Sequence, residues 1–229
     1  TFPSFGGVRI CDSNRGAFEP EALCDILYET IDEHTLRMTG QDTSIVLTTE
    51  EFHWELGIYG KDGALRTIFK SSELFYGFDK TGEYQSVYLK LPIAEKEGLF
   101  GFGERFNGLE QKRTMLTMWN VDCLSGMPLA DFADDYCEKT QAYKNVPIVH
   151  SDRRYSIFFN TYYPIRMDIG YTNPFRLGAE IYGCQLDLYI WTGRIEDNIK
   201  NYMALTGKPF LPPKWAFDYW MGGGYNVWN

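Results

Sequence analysis

The feature that most restricts this chain is a succession of short β-type runs separated by tight-turn signals. Ser44 to Leu56 is rich in β-branched and aromatic residues, which pack best on a pleated, half-buried surface. Glu55 to Tyr59 and Ala64 to Ile68 flank Lys61-Asp62-Gly63. An Asp-Gly step between two such runs supplies the backbone freedom that a hairpin turn needs. Leu74 to Phe78 and Ser86 to Leu91 flank Lys80-Thr81-Gly82 in the same way. Tyr155 to Asn160, Arg166 to Ile169 and Gln185 to Trp191 are three further strand candidates. Many short strands with regular turns predict a mainly β protein, built as an antiparallel sandwich or barrel.

One helix interrupts this pattern. Ile195, Ile199, Tyr202 and Met203 recur at i, i+4, i+7 and i+8 and so share one face. Glu196 and Asp197 fall in its first turn, where acids suit the helix dipole. Gly207 and Pro209 end it. Pro209, Pro212 and Pro213 then form a stiff connector to Trp215–Met221, an apolar run of the kind found in strands buried on both faces. Such a strand needs neighbours on both sides, and only Gly222-Gly223-Gly224 and a few residues follow. The expected organisation is therefore a β domain over 1–208, then a linker and the first strand of a second, truncated body over 209–229.

Composition excludes several functions. The net charge of −9 leaves no basic surplus to displace counterions from a nucleic-acid backbone. No apolar run approaches the ~20 residues needed to span a bilayer, and no signal peptide is visible. A cytoplasmic protein is expected. The five cysteines, Cys11, Cys24, Cys123, Cys137 and Cys184, have no metal-type spacing. Reduced thiols fit a cytoplasmic protein, although Cys123 and Cys137 share one loop-like stretch and could pair under oxidising conditions. His34, His53 and His150 are far apart and form no ligand set. No cofactor or metal is expected. The 17% aromatic content fits either a large sandwich core or surfaces that stack on sugars.

Three motifs, in order, resemble segments of glycoside hydrolase family 31, the α-glucosidase and α-xylosidase family. Leu99-Phe100-Gly101-Phe102-Gly103-Glu104-Arg105-Phe106 is similar to the family's Tyr-Gly-Leu-Gly-Glu-Arg-Phe signature. Trp119-Asn120-Val121-Asp122, followed by Gln141-Ala142-Tyr143-Lys144-Asn145-Val146-Pro147, resembles its Trp-Asn-Xaa-Asp and Ala-Tyr-Lys-Asn-Ile-Pro segments. Leu205 to Phe217, with Gly207-Lys208-Pro209-Phe210-Leu211-Pro212-Pro213, looks like its approach to the catalytic barrel. The resemblance runs from about Ser44 to Trp220.

The resemblance implies a galactose-mutarotase-like β-sandwich packed on a (β/α)8 barrel. It also implies a parent enzyme that cleaves α-linked oligosaccharides with retention, using two carboxylates about 5 Å apart. Both come from later barrel strands in this family. The family's nucleophile segments, Asp-Met-Asn-Glu or Asp-Phe-Gly-Glu, do not occur here. Asp135-Tyr136-Cys137-Glu138 has the spacing but lies in an insertion, whereas barrel active sites sit at strand C-terminal ends. No catalytic residue is therefore assigned, and the chain alone is expected to be inactive.

Two residues are assigned to substrate binding by the resemblance. Asp122 matches an aspartate on a loop reaching over the barrel mouth, where an ionised carboxylate accepts hydrogen bonds from adjacent sugar hydroxyls. The same residue type also suits a turn in which it bonds its own backbone. Val121 stands where relatives often carry Arg. Tyr225 matches an aromatic lining the sugar pocket, and Trp228 is a further candidate. The long stretch from Cys123 to Thr140 either narrows the site or is a variable surface loop. Glu104 and Arg105 read as a structural ion pair at the sandwich–barrel contact, against a less favoured reading as a general acid held by arginine.

The expected partners are the substrate and the barrel of the same polypeptide, with no nucleic acid or membrane and with oligomerisation left open. Two rivals are a free-standing carbohydrate-binding module and a mutarotase-like epimerase. The barrel-approach motif argues against the first, and the scattered histidines argue against the second.

Overall fold

The computed structural model describes residues 7–10, 26–78, 80–82, 84–105, 107–120, 142–183 and 185–219. These form three five-stranded antiparallel sheets. The first is a meander of β2 (Leu27–Asp32), β3 (Thr35–Thr39), β4 (Thr43–Glu50), β5 (His53–Gly60) and β6 (Leu65–Lys70). The second runs β10 (Thr114–Met118), β13 (Ile165–Ile169), β14 (Arg176–Tyr182), β8 (Tyr84–Pro92) and β7 (Leu74–Phe78). The third runs β1 (Gly7–Ile10), β15 (Leu188–Thr192), β12 (Tyr155–Phe159), β11 (Ile148–Ser151) and β9 (Leu99–Gly101). The predicted Asp-Gly hairpin is the β5–β6 turn, with Gly63 at φ 75°.

One hydrophobic core draws on all three sheets, from Ile45, Ile58 and Phe69 through Leu89, Met167 and Ile181 to Val149, Ile157 and Ile190. The alternation that builds it is plain in β13, where Ile165, Met167 and Ile169 are buried and Arg166 and Asp168 are only half-buried. In β12 and β15 every residue is buried, because a helix covers the face turned away from the core. That helix, α1 (Ile195–Thr206), sets Tyr202 and Leu205 on Phe158, Tyr189 and Trp191. The Tyr202 ring meets Phe158 edge-on at 5.1 Å.

The buried stripe of α1 differs from the periodic reading. Ile199 is 40% exposed, while Asn198 is fully buried. The Asn198 side-chain amide donates to Ser156 Oγ at 2.9 Å. This polar anchor turns inward the face that carries Tyr202 and Leu205, four and seven residues on. Gly207 ends the helix at φ 98°, its N–H bonded to Met203 O.

The predicted strand over Trp215–Met221 also differs. Lys214–Phe217 form a 3-10 turn, and Trp220 and Met221 lie outside the described residues. No described strand pairs with this segment. Its backbone is satisfied locally instead, by Ala216 N–H to Pro213 O at 2.9 Å and Asp218 N–H to Trp215 O at 3.2 Å.

The Asn198–Ser156 contact extends to His150 on β11, whose Nδ1 lies 2.7 Å from Ser156 Oγ. The Asn198 amide nitrogen donates to that oxygen, and the remaining lone pair and proton of the Ser156 hydroxyl serve His150 Nδ1 in either tautomer of a neutral imidazole. Burial pulls the imidazole down from its usual 6.5 to about 4. The unfolded chain takes up a proton near pH 6.5 that the folded chain refuses until about pH 4. Stability is complete above pH 6.5 and falls as the pH drops toward 4, by at most roughly 3 kcal/mol. Urea midpoints at pH 7.5 and 4.5 check this. The shift between them should be smaller in His150→Gln, and an equal shift would remove the histidine from the explanation.

Candidate functional site

The first two sequence motifs meet at one end of the sandwich. At the end of β9 the backbone takes three successive positive φ angles, at Gly101 (109°), Phe102 (67°) and Gly103 (89°). This sharp turn drops the Phe102 ring into the core, fully buried. It also lays the backbone against the second motif, with Phe102 N–H bonded to Ile148 O at 2.9 Å and Glu104 N–H to Lys144 O at 3.0 Å. The approach is too close for a side chain at 103, where a Cβ would stand 2.1 Å from Lys144 O.

Arg105 then ties the two motifs together. Its Nε donates to Phe102 O at 3.1 Å, and one Nη reaches both Met118 Sδ at 3.0 Å and the Asn145 side-chain oxygen. Asn145 in turn donates from its backbone and its side-chain amide to Asn120 Oδ1, both at 2.8 Å. A parallel bridge joins Asn120 to Ala142. Asn120 and Ala142, the described residues on either side of 121–141, are therefore held side by side by a clamp of Arg105, Asn145 and Asn120. The expected Glu104–Arg105 pairing is corrected accordingly. Glu104 faces Lys144 at 3.7 Å, with both side chains well exposed, an arrangement worth little energy. The contacts described for Arg105 go to a carbonyl, an amide and a thioether.

Asp122 and Tyr225 lie outside the described residues, as do Trp228, the 123–140 stretch and all five cysteines. Asn120, the last described residue before Asp122, sits in the clamp. Above it opens a cleft of about 340 Å3, lined among others by Trp119, Asn120, Asn145, Thr161, Tyr162 and Tyr163. None of its described lining residues is charged. Tyr162 is 96% exposed, Tyr163 51% and Trp119 45%. Sequence reasoning missed Asn145 and the Thr161–Tyr163 turn. The signal available for the turn was two adjacent aromatics between strands, where polar turn residues are the norm.

A second cleft, of about 600 Å3, lies at the opposite end, between the β5–β6 turn and the start of α1. Two ion pairs lie in its lining, Lys61 with Asp42 at 3.2 Å and Arg66 with Asp62 at 2.5 Å, beside Arg154, Arg194 and Asp197, and none of its described lining residues is aromatic. Among the described residues no group of His, Cys, Asp and Glu is placed to hold a metal ion. No helix there is long and apolar enough to cross a membrane.

Comparison with known proteins matches residues 17–168 to the glycosyl hydrolase 31 N-terminal galactose mutarotase-like domain. The chain is similar to alpha-glucosidase 2 of Bacillus thermoamyloliquefaciens, with 28% identity over 95% of this chain and 26% of that protein. It is similar to the alpha-xylosidase of Emericella nidulans, also at 28% identity, over 80% of this chain and 21% of that protein. The chain thus spans about a quarter or less of these relatives. The cycloalternan-forming enzyme of Listeria monocytogenes, solved with a pentasaccharide substrate, shares the fold at a TM-score of 0.75, with 18% identity over 93% of this chain and 20% of that one. The family match, the three antiparallel sheets and the joined motifs agree, and the chain belongs to glycoside hydrolase family 31 as its N-terminal galactose-mutarotase-like domain.

Proposed function

We propose that this domain serves a retaining α-glycosidase acting on α-glucosides or α-xylosides, by packing on the catalytic barrel and presenting a substrate-binding loop. The observation that carries this reading is the Arg105–Asn145–Asn120 clamp, which fixes Asn120, two residues before Asp122, beside Ala142. A rigid root is what a loop needs to hold a carboxylate against a sugar. Asp122 accepts hydrogen bonds from hydroxyls of the leaving-group sugar, and Tyr225 offers a ring to a sugar face. Phe210, Leu211, Trp215, Phe217 and Tyr219 are all exposed in one segment. Such an apolar run is suited to docking on another body, which supports the barrel contact. The catalytic carboxylates belong to the barrel, so the 229-residue chain alone should release no phenol from aryl α-glycosides.

The decisive test is Asp122→Ala in the intact enzyme. Loss of a hydrogen bond to a charged group costs about 1.5–3 kcal/mol, roughly a tenfold to hundredfold drop in kcat/KM. The drop should appear with natural disaccharides and not with aryl glycosides, whose leaving group lacks sugar hydroxyls. A ratio of the two efficiencies within about twofold of the unmutated enzyme, ~0.4 kcal/mol on that scale, would refute the binding role.

A further inference from the structure

We propose that the cleft between Trp119 and the Thr161–Tyr163 turn is a separate subsite for a pyranose ring of an α-linked oligosaccharide. The α linkage rests on the function proposed above, whereas the pyranose chemistry comes from the cleft itself. The described lining carries no charge and so suits a neutral ligand better than a phosphate, a carboxylate or an ammonium group, which need a counter-charge to replace lost hydration. Three aromatic rings, Trp119, Tyr162 and Tyr163, share the cleft with the side-chain amides of Asn120 and Asn145 and the hydroxyl of Thr161. A sugar ring has that same duality, with apolar CH faces for stacking and hydroxyl edges for amides. At about 340 Å3 the cleft lies at the small end of ligand sites, which suits one or two rings rather than a folded chain.

One of the rings and both amides are held in place before any ligand arrives. Tyr163 lies against Gly183, where a Cβ would come within 2.8 Å of the ring and where φ is 101°. The turn is closed by Tyr163 N–H donating to Thr161 Oγ1 at 3.1 Å. Asn145 and Asn120 are fixed by the clamp to Arg105. Preorganised groups lose little freedom on binding. Tyr162 is the ring with most to gain, since it stands almost wholly in water.

The test is titration of the 229-residue chain with maltotriose, followed by the Trp119 indole NMR signal and by calorimetry. Maltotriose should shift that signal. Tyr162→Ala and Tyr163→Ala should each weaken binding at least tenfold. Tyr162→Phe should retain it, because stacking uses the ring and not its hydroxyl. Phe52→Ala, in the exposed β4–β5 turn, should leave it unchanged. Silence with maltotriose up to about 10 mM, unaltered affinity in Tyr162→Ala, or equal binding of the β-linked cellotriose would each overturn the proposal. The assay reads binding and needs no turnover, so it stands or falls independently of the Asp122 measurement.

Discussion

Replacing Gly103 by alanine is expected to destabilise the domain by roughly 2–5 kcal/mol, with two causes acting together. A Cβ at 103 would stand 2.1 Å from Lys144 O and 2.7 Å from Val146 N. Both are backbone atoms, which cannot swing aside as a side-chain tip can, and such overpacking costs about 1–3 kcal/mol. Position 103 also has φ 89°, where an L-residue pays a further 1–2 kcal/mol or so. Gly63→Ala separates the two causes, because it has φ 75° with no atom within 4 Å of the added Cβ. That control should lose only about 1–2 kcal/mol. Urea unfolding of both variants decides the matter, and equal losses would mean that the contact between the two motifs is soft.

The second large effect is expected at Glu97. Its carboxylate is almost fully buried. It accepts hydrogen bonds from Ser151 Oγ at 2.6 Å, Tyr155 Oη at 2.7 Å and Ala94 N–H at 2.8 Å. Burial, reinforced by the Glu97 charge and its hydrogen bond, pushes the Tyr155 phenol well above its usual range. Tyr155 therefore stays a donor. Glu97→Ala would orphan two buried donors and one part-buried donor, at about 1–3 kcal/mol each for the buried ones, for an expected total of roughly 3–5 kcal/mol once water partly replaces the carboxylate. Tyr155→Phe and Ser151→Ala each remove one donor and should cost only about 1 kcal/mol. A Glu97→Ala loss no larger than that of either single-donor variant would show that the carboxylate is not a hub.

Much of the fold was legible because its signals are local. The Asp62-Gly63 turn, the Leu74–Phe78 strand and the helix end at Gly207 all follow from φ preferences and side-chain alternation within a few residues. The motif resemblance reached the family by the same route. The candidate site was legible only in part. Trp119, Asn120 and Asn145 stood inside quoted motifs, but nothing near them in sequence revealed that Asn145 donates to Asn120 across twenty-five positions.

The sequence by itself determined the strand-rich class, the turns, the presence and length of α1, and the neutral-to-acidic character that excludes a nucleic-acid backbone. Each depends on a residue and its chain neighbours. The tertiary structure alone decided which face of α1 is buried, since the hydrogen bonds that the Asn198 side chain donates to Ser156 and Gly193 outweigh the periodic placement of Ile199. It alone directed Arg105 to Asn145 and Glu104 to Lys144 instead of to each other. It alone kept Lys214–Phe217 out of a strand, because a strand's hydrogen bonds come from neighbours and a 3-10 turn's come from itself.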